Sequence, residues 1–279
     1  MFIPFWLILL LGFLFLTGLI SAWRLGRSRG KSRWSVSHPN FKLSKNEDER
    51  KRIDFVANAS HELRTPVSII KGFAESLLED FEILSKDQKK DFLIKIQRNS
   101  LRLNVLVEDL LSLARLGSKA HGNVRQNLDL SELIQQVVEN FQVRAQESGT
   151  SFSIDLPDEN LKLWGDKESL ISVFENLLEN ALVHADNLTL IRVRARHDKK
   201  SRSLVCSVED NGQGIPPNDL ARLFERFYRV DKGRSRKRGG TGLGLSIVRE
   251  VIEAHKGEVF AQSKLGKGSV FSFRLPKSS

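Results

Sequence analysis

Two apolar seams at helical spacing constrain this chain more than any other feature. In the first, Ile53, Val56, Ser60, Leu63, Val67, Ile70, Ala74 and Leu77 advance by alternating steps of three and four. In the second, Phe92, Ile96, Asn99, Leu103, Leu106, Leu110 and Leu113 do the same, and Val107 and Leu111 widen the stripe. Such spacing is the heptad pattern of helices that pack side by side. Between the seams, Ser85 and Gln88 offer a turn and an N-cap, and Gly117 offers a stop. A helical hairpin is expected, with stripes too broad for one two-helix seam, so that a homodimer completes a four-helix bundle. An intramolecular coiled-coil spacer is the alternative.

The formal charge of +10 is concentrated in two short stretches. Arg24, Arg27, Arg29, Lys31 and Arg33 form one; Arg229, Lys232, Arg234, Arg236, Lys237 and Arg238, set against Asp231, form the other. The rest of the chain is balanced, and no recognition helix or basic aromatic platform is visible, so no nucleic-acid partner is expected. The lone Cys206 rules out a disulfide framework or multi-cysteine zinc cluster and reads as a buried strand residue.

Residues 2–23 carry no charged side chain. As a helix at ~1.5 Å per residue they span about 33 Å, enough for a hydrocarbon core of ~30 Å. Trp6 and Trp23 sit near the ends, where indole rings prefer the interface, and the first basic cluster follows at once. The expectation is a single transmembrane helix: residues 1–23 anchor a single-pass protein in the cell (inner) membrane with its N-terminus outside. Residues 24–45 are then a basic juxtamembrane linker, and all that follows is cytoplasmic. With only Met1 outside, no extracellular sensor is expected, and input comes through the membrane helix, the linker, or a membrane or cytoplasmic signal-input protein. A cleaved signal peptide is the rival reading; against it, no Lys or Arg precedes the apolar run.

After residue 124 the pattern changes. Strand-like stretches at 124–130, 151–156, 188–195, 204–209, 258–261 and 269–275 alternate with helical ones at 131–147, 166–185 and 241–255. This predicts an α/β sandwich over residues 124–277, with helices on one face of a mixed sheet and enough chain for one core. Within it, Asn176 and Asn180 share a helical face; Asp210, Gly212 and Gly214 follow a strand; Gly240, Thr241, Gly242, Leu243 and Gly244 open a helix. Glycines ahead of a helix let backbone N–H groups approach a phosphate, and the helix N-terminus favours negative charge. The string is not a P-loop, because it lacks that motif's Lys-Ser/Thr.

In the hairpin, His61 follows the seam position Ser60 and so lies on the flank, open to solvent and to another protein. Pro66, inside the helical pattern, is expected to bend the helix and free carbonyls nearby. A neutral imidazole is a competent nucleophile near neutral pH, and the adjacent Glu62 can orient it. Thr65 lies a turn along the same face.

The run from Phe55 to Pro66, reading FVANASHELRTP, resembles the H-box of sensor histidine kinases of two-component systems. The asparagine pair, the Asp210 loop, the string FERFYR at 224–229 and the glycine loop, in that order, look like the N, G1, F and G2 boxes of that family's ATP-binding domain. That Bergerat-type (GHKL) fold is shared with gyrase and the Hsp-ninety chaperones. The likeness covers residues 46–277 and is nearest the phosphate-regulon sensor type, with residues 46–118 as the dimerisation and histidine phosphotransfer domain.

The resemblance implies ATP and Mg²⁺ as cofactors. His61 would be the phosphoacceptor, Glu62 the general base, and Thr65 the residue that positions water for a reverse, phosphatase activity. Asn180 would coordinate Mg²⁺ with support from Asn176. Asp210 would read the adenine amino group, Gly212 and Gly214 would shape its pocket, and Gly240, Gly242 and Gly244, with Thr241 and Leu243, would form the phosphate loop. Phe224, Phe227 and Tyr228 would pack the base of the ATP lid. The implied function is autophosphorylation and transfer to an aspartate of a cytoplasmic response regulator.

The chain departs from the family at one point. Where many members have a Lys three residues after the metal asparagine, this chain has Val183, followed by His184. Arg236, Lys237 or Arg238 of the lid would supply the missing cation. Two other readings are a GHKL-type ATP-hydrolysing clamp and a membrane scaffold or pseudokinase. The clamp needs a carboxylate base where Asn176 stands, and Glu179 points about 100° away around the helix.

Overall fold

The computed structural model describes residues 40–117, 125–157, 161–198, 203–230 and 240–276. The expected membrane segment, most of the basic linker, and Arg236, Lys237 and Arg238 lie outside the described residues; among those described, no helix is long and apolar enough to cross a membrane. Arg52–Ser279 form one compact unit containing both the hairpin and the α/β part. Met1–Lys51 form a second unit, described only for its helical end.

The seams fold as two long helices, α1 (Asn40–Glu79) and α2 (Lys86–Gly117). Their turn is fixed by a reciprocal capping box: Ser85 Oγ accepts the N–H of Gln88 at 3.2 Å, and Gln88 Oε1 accepts the N–H of Ser85 at 2.9 Å. Phe73 and Phe92, with ring centroids 4.9 Å apart, pack the two helices together near that turn. The helix continues through Pro66, which is buried within it. Pro66 lacks an N–H, so the carbonyl of Glu62 loses its usual donor.

The α/β part begins with β1 (Gln126–Asp129) and α3 (Leu130–Glu147), then β2 (Ser151–Asp155), β3 (Lys162–Gly165) and α4 (Lys167–His184). After these come β4 (Leu190–Asp198), β5 (Ser203–Asp210), the one-turn α5 (Pro217–Leu220), α6 (Gly244–Ala254), β6 (Glu258–Lys264) and β7 (Gly268–Pro276). The main sheet runs β2-β4-β5-β7-β6, with β2 and β4 parallel and the other pairs antiparallel. Alternate residues of β4, β5 and β7, among them Val193, Cys206 and Phe273, are buried with the apolar faces of α3, α4 and α6. Between those positions, Arg192 and Arg194 pair with Glu209, and Arg194 also reaches Asp155. Burial pushes the Cys206 thiol well up.

The mixed sheet with helices on one face matches the sequence reading. Two elements were not foreseen. β3 pairs antiparallel with β1 in a separate two-stranded sheet, and the one-turn α5 lies between the Asp210 loop and the FERFYR segment, outside the helical stretches expected from sequence. β1 is also shorter than the expected strand, because Asp129 caps α3: its Oδ1 accepts the N–H of Ser131 at 2.9 Å.

The hairpin adjoins this core through α2 and α6. Leu106 and Leu113 are buried in the common apolar cluster, with Phe55, Leu63, Leu110 and Leu116 packed on it. Other hairpin residues stay open: Ile53 is 62% exposed and Leu101 64%.

Candidate functional site

His61 is exposed on α1. One turn on, the Thr65 hydroxyl donates to the His61 carbonyl at 3.2 Å. Glu62, by contrast, is drawn into the molecule, its side chain only 13% exposed. Its Oε2 accepts from Arg102 of α2 at 3.2 Å and from Arg229 of the α/β part at 3.1 Å. Those two guanidiniums are 12% and 6% exposed, so the cluster is held mostly away from water.

The glycine loop leads into α6, whose N-cap position, Leu243, offers no side-chain cap. The apolar side chain of Leu243 cannot accept from the first N–H groups of that helix. Gly244 lies against α4: a Cβ there would stand 2.5 Å from Asn176 Oδ1. The Asn176 amide is oriented by its own helix, donating to the Ser172 carbonyl at 2.8 Å and hydroxyl at 3.2 Å. Asn180 is half-buried one turn further along α4.

Asp210 ends β5 and is buried; its Oδ1 accepts the Gly212 N–H at 2.9 Å. Burial raises its carboxyl above the usual range, against the opposing bonds from Gly212 and Ser269. Gly212 packs on Ala185, and Gln213 donates to the carbonyl of His184 at 3.2 Å, joining this loop to the end of α4. Gly214 has φ +73°, and a Cβ there would meet the Lys264 carbonyl oxygen at 2.3 Å, so only glycine fits.

Phe224, Phe227 and Tyr228 all pack against the core, but Phe227 also reaches the hairpin, its ring 5.8 Å from that of Phe55. Its backbone N–H donates to the Gly242 carbonyl at 2.8 Å, tying the FERFYR segment to the glycine loop. Arg226 pairs with Glu250 of α6 at 2.6 Å and lies over Phe55. Arg229 donates to the Thr241 carbonyl at 2.7 Å as well as to Glu62, while its buried Nε has no hydrogen-bond partner among the described residues. Thr241 is buried, and its hydroxyl donates to Asp109 Oδ2 of α2 at 2.6 Å while accepting the Leu243 N–H at 3.2 Å. Burial pushes the Asp109 carboxyl above its ordinary value; the Thr241 bond pulls it back in part.

Both halves of the site anticipated from sequence are thus in one compact unit, with Asn176 against Gly244 and Glu62 against Arg229. Sequence reasoning missed Arg102, Asp109 and the contacts of Arg229. An acid at position 109, between the seam leucines 106, 110 and 113, was the one local sign. Val183 lines an open depression of about 460 Å³ with Ser148, Thr150, Leu182, Ala185, Asp186, Asn187 and Leu188. Both oxygens of Glu179 are held by Arg144 of α3.

The family model of the His Kinase A (phospho-acceptor) domain matches residues 51–119, and that of the histidine kinase-, DNA gyrase B-, and HSP90-like ATPase matches residues 165–279. The chain is 37% identical over 229 residues to the sensor histidine kinase WalK of Bacillus subtilis; the match takes in 82% of this chain and 37% of that one. To the sensor protein kinase WalK of Staphylococcus aureus it is 33% identical over 228 residues, covering 82% and 54%. The chain therefore spans well under two thirds of these relatives' length. In fold it resembles histidine kinase AdeS of Acinetobacter baumannii (TM-score 0.61, 22% identity, 78% of this chain and 98% of that one). It also resembles histidine kinase ThkA, solved in complex with response regulator protein TrrA (TM-score 0.66, 23% identity, 88% and 68%). A phospho-acceptor hairpin and an ATPase domain in sequence, with WalK relatives across both, place this chain among the sensor histidine kinases of two-component systems.

Proposed function

We propose that the protein autophosphorylates His61 from Mg-ATP and passes the phosphoryl group to an aspartate of a response regulator. One observation carries this reading. A single side chain, Arg229, bonds both Glu62, next to the candidate phosphoacceptor, and the backbone of Thr241 in the glycine loop.

In the reaction, a ring nitrogen of His61 attacks the γ-phosphorus, and the bond from that phosphorus to the oxygen of ADP breaks. Glu62 takes the proton from the other ring nitrogen, so the imidazole remains a good nucleophile. The uncapped start of α6 and the glycine loop hold the phosphates, and Asp210 hydrogen-bonds the adenine amino group. Asn180, supported by Asn176, would hold Mg²⁺; an amide oxygen suits a hard cation that keeps several waters and binds phosphate oxygens. When bound, that ion neutralises charge on the phosphates. Positioning supplies much of phosphoryl-transfer catalysis, which favours a working kinase over a pseudokinase. The engagement of Glu179 by Arg144 speaks against a water-activating clamp.

Thr65, one turn from His61, would assist dephosphorylation of the regulator when the kinase is off. The exposed apolar residues of the hairpin, Ile53 and Leu101 among them, support a homodimer. The uncharged run at 2–23 followed by five basic residues supports a single-pass anchor with the kinase domains cytoplasmic. The domain limits proposed are 1–23, 24–45, 46–118 and 124–277. Incubation with γ-labelled ATP should leave acid-labile phosphate on the protein. The same label retained by His61→Ala would refute the assignment.

A further inference from the structure

We propose that Asp109 stands in the glycine loop where a nucleotide phosphate belongs, so that the hairpin and Mg-ATP compete for the hydroxyl of Thr241. This rests on the reading that the loop holds phosphates. A carboxylate oxygen and a phosphate oxygen are the same kind of acceptor: anionic, and drawn to a loop that feeds an uncapped helix N-terminus. Asp109 Oδ2 accepts a hydrogen bond from the Thr241 hydroxyl, with the oxygens 2.6 Å apart, three residues before α6 begins.

The contact is one of several on the same surface. Arg229 joins the Thr241 carbonyl to Glu62, Phe227 packs at a tilt on Phe55 while its N–H holds the Gly242 carbonyl, and Leu106 and Leu113, on the same helix as Asp109, are buried. Two acids of the hairpin, Asp109 and Glu62, are therefore engaged by the loop and its neighbour Arg229. In this arrangement Glu62 is occupied by two guanidiniums, and the loop hydroxyl is already spent on a carboxylate. The docked form is a resting state that nucleotide must displace. Linkage makes the effect reciprocal: by the factor that docking weakens nucleotide binding, bound nucleotide loosens the hairpin.

The test uses the full chain and the non-hydrolysable analogue AMPPNP with Mg²⁺. Asp109→Ala should tighten AMPPNP binding on the order of tenfold. Asp109→Asn, which keeps an acceptor without charge, should fall between it and the unaltered chain. Phe55→Ala, which breaks the docked face away from the loop, should tighten binding as well and carries the test if Asp109→Ala does not fold. Saturating AMPPNP should also speed amide exchange around residues 106–113 of the unaltered chain, a change that a merely structural Asp109 would not produce. Equal affinities across the series, or weaker binding by folded Asp109→Ala, overturn the competition. If the unaltered chain itself binds no AMPPNP, the nucleotide reading fails first and takes this inference with it.

Discussion

The backbone N–H of Asp166 donates to Nε2 of the buried His255 across 3.1 Å, while His255 Nδ1 lies 2.8 Å from the Val251 carbonyl. The ring must therefore be neutral, with its proton on Nδ1, and it fastens the end of α6 to the cap of α4. Asp166 is that cap: its Oδ1 accepts the Ser169 N–H at 2.7 Å. Burial lowers the His255 pKa from 6.5, the nearby Arg125 adds to this, and the Val251 bond and Asp166 oppose it.

Because the folded value lies below the unfolded one, the contribution of neutral His255 is complete above about pH 6.5 and declines as pH falls from there. Thermal unfolding should show a melting temperature that drops between pH 7.5 and 5.5, by about 2–4 °C for each kcal/mol lost. His255→Gln should melt lower at pH 7.5 but with a flatter slope. An equally steep slope in the variant would assign the effect to another group.

Gly244 and Gly268 should separate binding from folding. At Gly244 an added methyl meets the end of the Asn176 side chain, which can swing away at the cost of its bonds to Ser172. Gly244→Ala should weaken nucleotide binding about tenfold or more, with little loss of thermal stability. At Gly268 (φ +96°) the methyl would lie 1.9 Å from the Asp210 carbonyl oxygen, which is backbone and cannot yield. Gly268→Ala should lower the melting temperature sharply.

Glu62→Gln should slow autophosphorylation by about a hundredfold or more, the usual scale for a lost general base, without weakening AMPPNP binding. A parallel fall in affinity would mean that Glu62 acts through the fold instead.

Arg144→Ala frees Glu179 near the proposed metal asparagine. Both partners are about half exposed, so the loss of stability should be at most about 1 kcal/mol. No multiple-turnover ATP hydrolysis should appear, since Glu179 lies about 100° around the helix from Asn180. Steady release of phosphate by the variant would reopen the clamp reading.

In the proposed nucleotide site, Val183 would leave the phosphates without the lysine that many sensor histidine kinases have there. Arg238→Ala and Lys237→Ala should each weaken ATP binding and slow autophosphorylation several-fold, as expected when charge at a transferring phosphoryl group is lost. Unchanged values would remove the lid from that role.

The hairpin was legible because its signals are local. Heptad spacing and a cap three residues wide, Ser85 to Gln88, need no distant information. β4, β5 and β7 were legible from alternation over eight or nine residues. β3 was not, since in four residues it buries only Leu163 and Gly165, and its partner β1 lies on the far side of α3 and β2 in the sequence. The glycine loop and the asparagine pair showed themselves by composition. The bonds that join them to the hairpin did not, because Thr241 and Asp109 are 132 residues apart, Arg229 and Glu62 167 apart, and no periodicity spans such distances.

The register of β5 with β7, from Ser203 opposite Pro276 to Asp210 opposite Ser269, encloses residues 211–268 between two paired strands. That enclosed stretch contains the FERFYR segment, the basic cluster, the glycine loop and α6. Its ends are held by the sheet whatever its length, and the entropy of closing such a loop rises only by about 0.6 kcal/mol per doubling. The pairing of β5 with β7 therefore fixes both ends of the nucleotide-site segments at once, so that a change in the length of the chain they enclose costs little closing entropy and leaves the two strands in register.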